Sequence, residues 1–168
     1  MVNKKIRNAT QSTSEGITFK SKLERSVYNT LLEQGFKPEY EPIAFVIWEG
    51  FRPEIPYYDR ETDYQRNVRL ATIGGSSSKM LVRKKAKIID MRYTPDFYFK
   101  YNDLNVYIEA KGIENDVFYL KKKMFIKYLN DQYLEKGERS IYFEVYTRKQ
   151  LLQAIEIIKN YEQEWSHR

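Results

Sequence analysis

The sequence predicts an α/β protein, a mixed β-sheet core with helices on both sides and an irregular, partly β segment inserted into it. Three observations predict it. Segments of helical and of strand periodicity alternate along the chain. Two aromatic and β-branched runs flank Asn102-Asp103, a pair suited to a tight hairpin turn. A stretch broken by prolines and a Gly-Gly-Ser-Ser-Ser cluster separates the early elements from the late ones.

Taken in order, residues 1–15 lack apolar periodicity and read as a flexible basic tail, which leaves a single domain over 16–168. Ser21-Lys22-Leu23-Glu24 has the form of a capping box. It opens a helix with an apolar stripe of Leu23, Val27, Tyr28, Leu31 and Leu32, closed by Gly35. Glu39 to Trp48 reads as one strand, and residues 49–90 as an insertion with an irregular hairpin of its own. The segment from Leu81 to Lys111 supplies two or three strands. Asp116 to Tyr133 is a helix with Val117, Leu120, Met124, Phe125, Tyr128 and Leu129 on one face and Lys122, Lys123 and Lys127 on the other. Ser140 to Tyr146 alternates as a strand, and Thr147 to Gln150 is a second capping box opening a final amphipathic helix.

Composition narrows the chemistry. The chain has 168 residues, a net charge of +6, no cysteine and one histidine, His167. Disulfides, thiolate metal sites, histidine triads and zinc sites are therefore excluded or strongly disfavoured, and a metal here must be a hard, oxygen-liganded one. No apolar run is long enough to span a membrane and the N-terminus is too polar for a signal peptide, so the expected location is cytoplasmic. Six basic residues, Lys79, Arg83, Lys84, Lys85, Lys87 and Arg92, stand against one acid, Asp90, just before the hairpin. That tract is either a solvated surface or, better suited to its position, an arm that grips phosphates. Lys122, Lys123 and Lys127 offer a second basic surface.

The hairpin raises a question of its own. With its turn on Asn102 and Asp103, Asp96 lies across from Glu109, and Lys111 shares their face. Phe97, Phe99, Val106, Ile108 and Ala110 take the opposite, core-facing side. Opposed carboxylates repel, so a positive charge must lie between them, either Lys111 or a divalent cation. The first option is a plain cross-strand salt bridge. The second is a phosphodiester-hydrolysing site, in which Asp96, Glu109 and the Ala110 carbonyl hold Mg²⁺ or Mn²⁺ and Lys111 orients or deprotonates the attacking water. Glu24 borders the stripe of the first helix and has two readings as well, a helix cap or a further carboxylate of that site.

The segments GITFKSKLE, YTPDFYF and YIEAKG together resemble the PD-(D/E)XK nuclease superfamily, and more narrowly the phage endonuclease I-type Holliday-junction resolvases. The resemblance implies a restriction-endonuclease-like core, with Glu24, Asp96, Glu109 and Lys111 at the four active-site positions. It implies a Mg²⁺-dependent DNA endonuclease of phage or mobile-element origin, working as a homodimer in the cytoplasm of a bacterial host and able to resolve junctions. It covers residues 16–36 and 93–130, and the 49–90 insertion and the C-terminal strand and helix depart from it. A transposon-end nuclease of the same superfamily and a non-catalytic nucleic-acid-binding module on a nuclease fold are the alternatives.

Overall fold

The structure, a computed structural model, describes residues 11–112 and 116–161. Within them the chain is mixed α/β, with four helices, one four-stranded sheet and three two-stranded ones. It divides into two compact units, one of Met1–Ile47 with Arg92–Arg168, the other of Trp48–Met91.

In the first unit, β1 (Ser12–Ser14) pairs antiparallel with β2 (Ile17–Phe19). Glu15 and Gly16, at φ of 49° and 81°, form the turn. The end of the expected basic tail is therefore a hairpin strand. Its Ser-Thr-Ser sequence carries no apolar period by which to read it, and residues 1–10 lie outside the described ones. Helix α1 (Lys22–Glu33) follows, with Ser21 as its N-cap. Glu39 to Trp48 is not one strand but two, β3 (Glu39–Tyr40) and β4 (Phe45–Trp48). Glu41 at φ 46° and the adjoining Pro42 break it, and the two halves join different sheets.

The Trp48–Met91 unit contains β5 (Tyr57–Arg60), α2 (Asp63–Thr72) and β6 (Leu81–Lys84). Strands β5 and β6 form an antiparallel ribbon. Thr62 and Gln65 cap α2 reciprocally, so the segment expected to hold only an irregular hairpin also contains a helix. The buried Glu61 accepts both ends of the Arg69 fork, at 2.8 and 3.0 Å, and the Met80 N–H at 2.9 Å. Gly50 is obligatory, since a Cβ there would meet the Ile88 carbonyl oxygen at 2.3 Å.

The chain returns through β7 (Met91–Tyr93), which pairs with β4, and then forms β8 (Phe97–Tyr101) and β9 (Leu104–Ala110). Helix α3 (Asp116–Lys136) crosses to β10 (Ser140–Val145), and α4 (Arg148–Lys159) ends the described chain. The main sheet runs β10-β9-β8-β3, with β9 and β10 parallel and the other pairs antiparallel.

Two apolar clusters cover the sheet. Phe97, Phe99, Val106, Ile108, Ala110 and Val145 meet Val27, Tyr28 and Leu31 of α1 and Leu151, Ile155 and Ile158 of α4. Tyr107 instead packs with Tyr93 and with Phe118, Phe125 and Leu129 of α3. The stripe of α3 is rotated from the one expected, because Val117 and Leu120 are more than half exposed while Phe118 is buried. Among the described residues no helix is long and apolar enough to cross a membrane.

Candidate functional site

The β8–β9 register pairs Phe97 with Ile108 and closes on Tyr101 opposite Leu104, around Asn102 at φ 54°. Extended one step, that register sets Asp96, just ahead of β8, across from Glu109, whose charge acts on it. The Ala110 main chain joins the site through its N–H, which donates to Asp96 Oδ2 at 2.8 Å. Glu109 is buried and accepts from the Tyr93 hydroxyl at 2.7 Å and from Lys111 Nζ at 3.2 Å. Lys111 Nζ also sits 3.9 Å from the centre of the Phe118 ring, an aromatic face that favours its charge. Lys111 thus relieves Glu109 by direct contact and Asp96 only through its charge.

Relief is incomplete. Loss of water around Asp96 and the charge of Glu109 push the Asp96 carboxyl up to about 8, against the Ala110 N–H and Lys111, which act to lower it. Burial raises the Glu109 carboxyl too, opposed by Tyr93 and Lys111. The two acids repel, and the pair favours holding a proton or gaining further positive charge.

Glu24 reaches this site electrostatically. Its charge also raises the Asp96 carboxyl, so Glu24, Glu109 and Lys111 all act on Asp96. It is buried on the α1 side, where it accepts from the Lys20 N–H at 2.9 Å, the Ser21 hydroxyl at 2.8 Å and the Tyr40 hydroxyl at 2.6 Å. The capping box is thus shifted by one residue. Ser21 Oγ accepts from the Glu24 N–H, but the main-chain N–H to which the carboxylate returns is that of Lys20 and not that of Ser21.

Two members of the cluster were not legible as such. Parallel pairing sets Glu144 of β10 beside Glu109, so three carboxylates cross adjacent strands on one face: Asp96, Glu109 and Glu144. Glu144 is held by Lys122 Nζ at 2.5 Å and by the Tyr146 hydroxyl. Lys122 therefore lies on the packed side of α3, with its Nζ 5.3 Å from the Phe118 ring centre, and not on a shared outer face with Lys123 and Lys127. Tyr93 is the second. Its hydroxyl joins Glu109 to the Tyr142 hydroxyl, 3.1 Å away, and burial raises its pKa far above the ordinary tyrosine range. A three-residue strand ahead of a proline gives no signal for such a contact.

The basic tract is also divided. Lys79 is tied to Asp63 at 3.1 Å, and β6 directs Arg83 and Lys84 to opposite faces of its ribbon. Lys85 and Lys87 are exposed beyond the strand, and Arg92 is exposed in β7. On α3, Lys127 pairs with Asp131 at 2.6 Å, while Lys123 is exposed.

Among the described residues no three Asp, Glu, His or Cys side chains are gathered into a ready ligand set. Asp96 and Glu109 nonetheless fit a hard divalent cation. Mg²⁺ is commonly held by one or two carboxylates with water in its other positions, and two mutually repelling acids gain from it. Comparison with known protein families, curated proteins and solved structures gives no match.

Proposed function

We propose that this chain is a divalent-metal-dependent DNA endonuclease of the PD-(D/E)XK type, hydrolysing phosphodiester bonds on a restriction-endonuclease-like core. The observation that carries the reading is the facing pair Asp96 and Glu109, with Lys111 3.2 Å from Glu109, all at one end of the hairpin. Asp96 and Glu109 would hold Mg²⁺ or Mn²⁺, with the Glu24 charge acting on Asp96, and the metal would supply charge neutralisation at the phosphate and a more acidic water. The Ala110 N–H fixes Asp96, and the Tyr93 hydroxyl fixes Glu109. Lys111, released from Glu109 and steadied by Phe118, places its ammonium against a phosphate oxygen and stabilises the negative charge that develops there. DNA is the partner. Junction resolution, action as a homodimer and phage or mobile-element origin belong to the same resemblance.

The test is incubation of the full chain with supercoiled plasmid and with a four-way junction, with Mg²⁺ and with EDTA. Mg²⁺-dependent cutting that disappears in Glu109→Gln supports the reading, and cutting of plasmid alone removes the junction-resolving part. The Lys111–Glu109 ion pair favours one second reading, a nucleic-acid-binding module without hydrolysis. DNA binding with no cleavage in either metal would select it.

A further inference from the structure

The β5–β6 ribbon has a face that the hydrolytic site does not use. Its register pairs Tyr58 with Arg83 and Arg60 with Leu81, and cross-strand partners share a face. All four side chains are exposed, Tyr58 at 57% and Leu81 at 74%. Tyr57, Asp59, Val82 and Lys84 take the other side, so the exposed face carries two guanidiniums and no carboxylate. The Trp48–Met91 unit holds nine basic and six acidic residues. Two of those acids pair elsewhere, Glu61 with Arg69 and Asp63 with Arg66 and Lys79, and Asp59 takes the other side of the ribbon. No carboxylate forms an ion pair with Arg83 or Arg60 among the described residues, although the charge of Arg60 also acts on Asp63, so both guanidiniums keep N–H donors for an anion.

An exposed tyrosine ring and leucine between two arginines do not suit a simple anion, which would leave the apolar surface in water. They suit a ligand that alternates phosphates with flat apolar faces. In a duplex those faces are hidden within the stack, whereas an unpaired strand presents them. We infer that the Trp48–Met91 unit binds single-stranded DNA on the face formed by Tyr58, Arg60, Leu81 and Arg83, with a base stacked on Tyr58 and the two guanidiniums on neighbouring phosphates. This inference does not rest on the hydrolytic reading, since the face holds none of the residues assigned to cleavage.

Fluorescence polarisation with the full chain in EDTA tests it, using a short labelled oligo(dT) and a duplex of the same length. The single strand is expected to bind more tightly. Tyr58→Ala should weaken that binding about tenfold, and Tyr58→Phe should retain it. Arg60→Ser with Arg83→Ser should flatten the slope of log K against log salt by about 1.4. Lys84→Ser, on the other face, should leave the Tyr58-dependent difference unchanged. Circular dichroism should be the same for all variants, because Tyr58, Arg60 and Arg83 are exposed and Lys84 is only half-buried. Equal affinity for the duplex, an unchanged affinity in Tyr58→Ala, or displacement of oligo(dT) by polyglutamate of equal charge would each overturn the inference. Loss of cleavage in Glu109→Gln with oligo(dT) binding intact separates this surface from the hydrolytic one.

Discussion

The main-chain N–H of Ala110 donates to Asp96 Oδ2 at 2.8 Å, across the end of the β8–β9 hairpin. That bond holds an aspartate beside Glu109, where charge repulsion alone would drive it away. It also offers a way to separate the charge of Asp96 from its shape.

Asp96→Asn retains an oxygen that can accept from Ala110 but carries no charge. Mg²⁺-dependent cleavage should fall by roughly 10²-fold or more, measured on supercoiled plasmid. The melting temperature in EDTA should hold or rise at alkaline pH, because the repulsion is gone. Cleavage at the wild-type rate would remove Asp96 from the chemistry.

The Asp96 carboxyl titrates near 8 in the folded chain, and near its ordinary value of about 3.9 in the unfolded one. Between those values the folded state holds a proton that the unfolded state has released. Stability is therefore greatest at the acid end of this window and falls as pH rises toward about 8, where the contribution is fully lost. Thermal melts in EDTA should show the decline, and Asp96→Asn should flatten it. Mg²⁺ should raise the melting temperature more at alkaline than at acid pH, because it competes with that proton. An equal rise at both ends would show that the cation binds elsewhere.

Glu24 accepts from three donors, two of them side-chain hydroxyls. Glu24→Ala leaves those donors without their acceptor and should destabilise the protein by about 2 kcal/mol. In Glu24→Gln the amide oxygen can take over the Lys20 and Tyr40 bonds, and Ser21 can rotate to accept. A smaller loss, about 1 kcal/mol, is expected from denaturant titration. Cleavage that collapses in Glu24→Gln despite this retained stability assigns the carboxylate to the site, and full cleavage returns it to helix capping.

Lys122 and Glu144 expose 19% and 14% of their side chains and form one ion pair. Lys122→Met and Glu144→Gln should each cost about 1–2 kcal/mol, and the double variant should cost less than their sum. The salt slope of DNA binding should not change in Lys122→Met, whereas Lys123→Ser should reduce it by about 0.9 if α3 touches duplex phosphates. A reduced slope in Lys122→Met would restore the helix face expected from sequence.

Local pattern was enough for whatever depends on nearest neighbours. Asn102-Asp103 between two β runs fixes the hairpin register, and with it Asp96 across from Glu109 and Lys111 on the same face. Period and capping likewise determine α1, whose Val27, Tyr28 and Leu31 are buried with Leu23 and Leu32 packed against the core, and α4, which buries Leu151, Ile155 and Ile158. Tertiary structure decided the rest. The parallel register that sets Glu144 beside Glu109 depends on a crossover through α3, and nothing in β10 alone encodes its partner. The rotation of α3 comes from packing Phe118, Phe125 and Leu129 against the sheet, a choice its mixed composition leaves open, and this turns Lys122 inward. The division of Glu39 to Trp48 between two sheets follows in the same way from which strand each half finds. Periodicity names the face of an element, but only the partner that covers it determines what that face does.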